Sequence, residues 1–75
     1  MVVVTIPASS YLFQAQTFVS GRHKLQLKAA LATAKLCERF NRPYPQSVRS
    51  MVATAYDLLR MDAPEVAAEY GPPAV

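Results

Sequence analysis

The chain has a single cysteine, Cys37, and a single histidine, His23, so neither an internal disulfide nor a zinc site can hold its 75 residues together. A chain of this length buries only about 60% of the surface that its unfolded form exposes, and such chains usually depend on disulfides, a metal or a partner subunit. Apolar residues make up 52% of the sequence, more than one small core easily hides. We therefore expect no metal or other cofactor, and either a homodimer or a subunit docked on a larger protein.

The first 21 residues, Met1 to Gly21, carry no charge, which raises the question of a membrane span or a signal peptide. Pro7 and several polar residues interrupt the apolar run well short of the ~20 residues that a span needs. No basic segment precedes the run, as a signal peptide would require. We predict no membrane insertion and a cytoplasmic protein, a location that a lone unpaired cysteine also suits.

A β-branched run that Pro7 ends covers Val2 to Ile6 and predicts one short N-terminal β-strand. No second segment has comparable β character, so the strand has no partner within one copy of the chain. Its backbone would pair with another copy, pair with a different protein, or lie extended over the helices. In this segment the residues assigned to a protein interface are Val2, Val4 and Ile6.

Helical patterns follow. Ser9 or Ser10 can cap a first helix that Gly21 ends, and a second helix is predicted from about Arg22 to Phe40. Prolines break it, and Pro45 can start a third helix. Asp62 to Glu65 resembles a capping box, which predicts a short fourth helix through Tyr70. We predict a mainly α fold, a single three- to four-helix domain over residues 1–70 with one short N-terminal strand, and a frayed tail over residues 71–75.

The apolar spacing predicts which side of each long helix is buried. The residues predicted to face the core from the second helix are Leu25, Ala29, Leu36, Cys37 and Phe40. Those predicted for the third helix, the cleanest amphipathic segment in the chain, are Val48, Met51, Val52, Ala55, Leu58 and Leu59.

Charge is distributed unevenly. All five acidic residues lie at or after Glu38, whereas seven basic residues and one acid lie between Arg22 and Arg49. Five of the basic residues fall within about 60° of one another on the second helix and form a stripe about 27 Å long. We call them the basic stripe: Lys24, Lys28, Lys35, Arg39 and Arg42. With Arg22 at the helix start, such a stripe could follow a phosphate backbone, or it could be an ordinary solvated face.

The second and third helices also resemble the helix-turn-helix DNA-binding family over the stretch from Lys35 to Val52. The residues that match its buried and turn positions are Leu36, Cys37, Phe40, Asn41, Val48 and Met51. In that family the exposed N-terminal residues of the second helix of the unit enter the major groove. The resemblance implies that role for Gln46, Ser47, Arg49 and Ser50. The turn departs from the family's pattern because it is about one residue longer and carries two prolines.

The order strand, helix, glycine turn, helix is also similar to that of the ribbon-helix-helix dimers, which would give the strand a mate. Those ribbons read bases with outward polar side chains, and this strand offers only Thr5. We therefore rank this interpretation below the helix-turn-helix.

A protein-binding interpretation uses other residues. Tyr44 lies between Pro43 and Pro45 and is a rigid aromatic of the kind enriched at interfaces, although Pro-Tyr-Pro could simply be a stiff linker. Phe13 lies off the inner side of the first helix and is a further contact candidate, whereas Val66 and Tyr70 are expected to pack back on the domain.

No nucleophile–base pair, glycine-rich loop or placed carboxylate pair is recognisable in the sequence, so we do not expect an enzyme. The leading hypothesis is a small DNA-binding regulatory protein that uses the basic stripe and the helix-turn-helix-like pair. The alternative is a protein-binding accessory factor, an inhibitor or assembly subunit, that acts through its strand and its apolar and tyrosine surface without nucleic acid.

Overall fold

The computed structural model describes residues 6–73, and four α-helices account for most of them. They are α1 (Ala8–Phe18), α2 (Arg22–Arg39), α3 (Gln46–Asp62) and α4 (Pro64–Tyr70). α1 packs against both α2 and α3, which contact each other less extensively, and α4 packs against α3. The prediction of a mainly α fold is confirmed.

The prediction of a short N-terminal strand is wrong for the part of the chain that the structure describes. Residues 6–73 contain helices and connecting segments but no strand. Ile6 is the one described residue of that segment, and it is half-buried against the helical core. A β-branched run favours extended backbone but supplies no hydrogen-bonding partner, and the helices pair only with themselves. Residues 1–5, which include Val2 and Val4, lie outside the described residues.

The core is built from one side of each helix. Its residues are Ala8, Tyr11, Leu12, Ala15, Leu27, Leu31, Ala34, Val48, Val52, Ala55, Leu59, Ala63 and Ala67. For α3 the predicted inner face is confirmed, because four of its six residues are fully buried and Met51 and Leu58 are half-buried against them.

For α2 the predicted buried face is wrong. The helix buries Leu27, Leu31 and Ala34, whereas Leu25, Leu36 and Phe40 are exposed. Ala29 is exposed as well, and Cys37 is half-buried. α2 carries two apolar rows on opposite sides, so the spacing of apolar residues fits either orientation. The packing of α1 and α3 selects the row that contains Leu27.

α2 ends in a Schellman turn. Asn41 adopts a left-handed conformation with φ 53°, as expected for the residue predicted to lie in the turn. The Arg42 N–H donates to the Cys37 carbonyl at 2.8 Å, and the Asn41 N–H donates to the Glu38 carbonyl at 3.3 Å. The connection then runs to Pro45, which precedes the first residue of α3. Gly21, with φ 71°, precedes α2 and does not directly end α1, whose last residue is Phe18.

The end of α2 is tied to the start of α1 by the carboxylate of Glu38. Ser9 donates to it twice, from its backbone N–H at 3.2 Å and from its hydroxyl at 2.7 Å. The Tyr44 hydroxyl donates to the same carboxylate at 2.6 Å and accepts a 3.4 Å hydrogen bond from the Ala8 N–H. Glu38 thereby satisfies a free N–H in the first turn of α1, where a negative charge is favoured.

These contacts set the protonation of Glu38. Desolvation would raise the pKa of its carboxyl group, but hydrogen bonds from Tyr44 and Ser9 and the nearby charge of Lys35 bring the pKa below its ordinary value of 4.5. Because the pKa is lower in the folded state, the stabilisation is fully present above about pH 4.5 and is lost as the pH falls through the folded-state value.

Replacing Glu38 with glutamine should therefore lower the free energy of unfolding at pH 7 by about 1 kcal/mol, a modest loss because the carboxylate is solvent-exposed. Urea unfolding at pH 7 and pH 3 measures this, and the difference between the two proteins should shrink at the lower pH. Glu69→Gln on α4 is the control and should change little. A Glu38→Gln deficit that persists unchanged at pH 3 would contradict the role of the charge.

α4 is held against α1 by aromatic contacts. The Tyr11 ring packs edge-on against Tyr70 at 5.3 Å and Tyr56 at 6.3 Å between centroids. Its hydroxyl donates to the Gly71 carbonyl at 3.0 Å. Val66 and Tyr70 are partly buried against the core, which confirms that they pack back on the domain. Ala63, rather than Asp62, occupies the position that precedes α4, so the predicted capping box is not formed.

Candidate functional site

The outer side of α2 carries a row of apolar residues that we call the apolar seam: Leu25, Ala29, Ala32, Leu36 and Phe40. Leu25 is 70% exposed, Leu36 55% and Phe40 62%. At about 100° per residue the row is centred on the side opposite the buried residues of α2, and it runs for about 22 Å. Its intervals of four, three, four and four residues keep it on one side of the helix, as in a helix-pairing seam.

Single exposed apolar residues are normal on protein surfaces, but an aligned row of large ones is not. Phe13 and Phe18 on α1, and Met61 on α3, are also exposed, but they do not follow one another along one side of a helix. The seam is the place where exposed apolar side chains follow one another along a helix. A row of this kind is typical of a surface that another macromolecule covers.

The basic stripe borders the seam along one edge. All five of its side chains are exposed, and so is Arg22 at the start of α2. Four of the five lie on α2, about 90° around the helix from the seam, and Arg42 follows the helix in the turn. The Arg39 guanidinium lies 5.7 Å from the centroid of the Phe40 ring, so that charge and seam are in contact at this end.

A groove between α2 and α3 borders the other edge of the seam. It has a volume of about 410 Å³ and is mostly apolar. The residues that line it are Gln26, Ala29, Ala30, Thr33, Ser47, Val48, Ser50 and Met51. Ala29 belongs to both features, so the seam adjoins the groove at this residue. None of the residues that line the groove is charged.

The residues assigned to a DNA groove are divided between two surfaces. Ser47 and Ser50 line the α2–α3 groove, while Gln46, Arg49 and Ser50 line an adjoining depression on α3. The Gln46 amide donates to the Ser50 hydroxyl at 3.3 Å. On α2 the basic stripe lies about 160° around the helix from the groove-lining residues. The structure therefore does not bring the stripe and the start of α3 to one continuous face.

The residues assigned to a protein interface also fall in different places. Phe13 is half-exposed on α1. Tyr44 is half-buried, and both its ring and its hydroxyl are engaged within the chain. Ile6 packs on the core. These three residues do not form a common surface with the seam.

Sequence reasoning assigned four of the five seam residues to the core: Leu25, Ala29, Leu36 and Phe40. A signal for them was present, because Leu27, Leu31 and Ala34 form a second row at intervals of four and three residues on the same helix. A helix with apolar rows on opposite sides has one more apolar side than this core can bury.

Over residues 6–73, fold and surface define a class: four helices with an exposed apolar seam edged by cations. Comparisons with known protein families, curated proteins and solved structures find no match for this chain. Within residues 6–73 no helix is long and apolar enough to cross a membrane.

Proposed function

We propose that this chain is a small non-enzymatic accessory protein that binds a helical segment of a partner protein along α2. The observation that carries the proposal is the apolar seam, with Leu25, Leu36 and Phe40 more than half exposed in a line. A partner helix laid along this line would bury its own apolar residues against the seam and in the adjoining groove.

The energetics favour a contact larger than the seam alone. Full burial of a leucine or phenylalanine contributes about 1.5–3 kcal/mol, so covering the exposed parts of three such side chains contributes roughly 3–6 kcal/mol. Association itself costs at least ~4 kcal/mol, which leaves little net affinity. Additional contacts in the α2–α3 groove and along the basic stripe would make the complex stable.

A photo-crosslinking side chain in place of Leu36 tests this proposal in the cells that produce the protein. We expect discrete adducts with one or a few proteins, and we expect them to disappear when Leu25 is also replaced by serine. The same side chain at Asp57, an exposed position on α3, is the matched control. Equal adducts from both positions, adducts only with a second copy, or none from position 36 would contradict the proposal.

Nucleic acid is the second candidate partner. It is supported by five exposed cations aligned along α2 and the turn that follows it. Glu38 is the only acidic residue that precedes Asp57 in the sequence. A DNA-binding regulatory protein of the helix-turn-helix kind would also use the start of α3. Because Ser47 and Ser50 face the groove on the far side of α2 from the stripe, this candidate ranks second.

A further inference from the structure

We propose that the partner segment is an amphipathic helix with acidic residues along one flank of its apolar side, and that it lies on the seam with that flank against the basic stripe. The inference rests on the proposed function and adds the chemistry of the partner. It follows from the unlike edges of the seam, one lined by four cations and the other largely uncharged.

Charge complementarity specifies the acidic flank. Lys24, Lys28, Lys35 and Arg39 border one edge of the seam, and all are exposed. The other edge, toward the groove, has Gln26, Ala30 and Thr33, which carry no charge. A helix seated on the seam with carboxylates on the stripe side would pair with those cations along about 22 Å. Carboxylates on its other flank would meet one cation, Arg22 in the first turn of α2, and otherwise neutral groups.

The spacing of the four cations on α2 adds a register. They follow one another at intervals of four, seven and four residues, a pattern that is the same in both directions. Acidic residues at the same intervals on a partner helix would face all four cations in one register. The contact can thus be specific in register.

A second copy of this chain is a poor occupant. Glu38 is the only acidic residue of α2, and its carboxylate is engaged by Ser9 and Tyr44. An antiparallel pair of α2 helices would set one basic stripe against the other, and a parallel pair would set each stripe against an uncharged edge. Neither orientation supplies carboxylates to the cations.

The α2–α3 groove helps to distinguish a helical partner from a membrane surface or a nucleic acid. A bilayer surface would contact the ridge formed by the seam and leave the concave space between α2 and α3 empty. A nucleic acid would neutralise the stripe but leave Leu25 and Leu36 in water. A helix lying on the seam would cover it, reach the stripe with one flank and reach the mouth of the groove with the other, so it makes contact with all three features.

The test uses two designed 18-residue peptides with the same leucine seam and a fluorescent label, one with four glutamates on the stripe-side flank and one with four glutamines there. By fluorescence anisotropy at 50 mM salt the glutamate peptide should bind at least ~10-fold more tightly, and the ratio should shrink at 200 mM salt. Lys28→Gln with Lys35→Gln should abolish the preference. Arg60→Gln, an exposed cation on α3, is the matched control and should leave it unchanged.

Variants in the seam separate the two proposals. Leu36→Ser, or Leu25→Ser as a second variant, should weaken both peptides while circular dichroism shows the helices intact. Equal binding of the two peptides, lost on Leu36→Ser, would overturn the acidic flank but leave helix docking standing. Binding that Leu36→Ser and Leu25→Ser do not change, or no binding of either peptide, would overturn both.

Other occupants give distinct results. A dimer in sedimentation equilibrium that Leu36→Ser dissociates would overturn the inference in favour of a second copy. Binding of a DNA duplex that falls by at least ~10³ between 50 and 200 mM salt and is lost in the Lys28→Gln, Lys35→Gln variant would assign the stripe to nucleic acid and overturn it. Binding to phosphatidylglycerol vesicles that requires Leu36 would overturn it in favour of a membrane surface.

Discussion

Replacing Leu27 with alanine should lower the free energy of unfolding by about 2–5 kcal/mol, whereas the same change at Leu25 should alter it by less than about 0.5 kcal/mol. Leu27 is fully buried between the helices and Leu25 is 70% exposed, although they lie two residues apart on the same helix. A chain of 75 residues has a total stability of about 4–11 kcal/mol, so the Leu27 variant should be close to unfolding.

Urea denaturation followed by far-ultraviolet circular dichroism measures both variants. Helix propensity changes equally in the two, because each exchanges leucine for alanine in the interior of α2, so their difference reports burial alone. The opposite order, with Leu25→Ala the more damaging, would mean that α2 is rotated as its sequence first suggested. The seam would then be core, and the proposed docking surface would not exist.

Tyr11→Ala should cost about 3–5 kcal/mol, because the ring is buried and joins α1 to α3 and α4 through Tyr56 and Tyr70. Tyr11→Phe retains the ring and removes only the hydrogen bond to Gly71, so its cost should be about 1 kcal/mol. Thermal and urea unfolding give both values. Phe13→Ala, at a half-exposed aromatic on the same helix, is the control and should cost far less.

Titration of the Tyr11 hydroxyl gives an independent check that this side chain is buried. Burial raises its pKa above the ordinary value for tyrosine, and the neighbouring Tyr56 and Tyr70 raise it further. A Tyr11→Ala cost below 1 kcal/mol would contradict the docking of α4 against α1.

The contrast between α3 and α2 shows how much of the fold the sequence predicts. α3 has one apolar side, so its spacing alone identified Val48, Val52 and Leu59 as buried. α2 has two, and local periodicity cannot choose between them, because the choice depends on how α1 and α3 pack. The predicted helices are present in residues 6–73, but the side of α2 that was predicted to be buried was wrong.

Local backbone chemistry was informative where a residue acts on its own neighbours. Asn41 adopts the left-handed conformation that a helix end requires, in the turn predicted for it. Long-range contacts were not predictable in this way. Glu38 meets Ser9 across 29 residues of sequence, and nothing near either residue indicates the other.

Of the two parts of the candidate site, the sequence predicted the basic stripe but not the apolar seam. The basic stripe depends only on helical geometry and stayed exposed, because its members lie between the two apolar rows of α2 and neither orientation would bury them. The apolar seam was missed because most of its residues had been assigned to the core, although the second apolar row of α2 was visible in the sequence. The N-terminal segment misled for a related reason: β propensity describes a residue's preference but supplies no neighbouring strand.

Chemical-shift mapping is the most direct measurement of whether α2 binds a partner helix through its apolar seam. In ¹H–¹⁵N spectra of the labelled protein titrated with the glutamate-flanked peptide, we expect the largest changes at amides of α2 from Leu25 to Phe40 and at Ser47 to Met51 of α3, with α4 unaffected. Changes concentrated on α4 or on the outer side of α1, or no change at saturating peptide, would contradict the account.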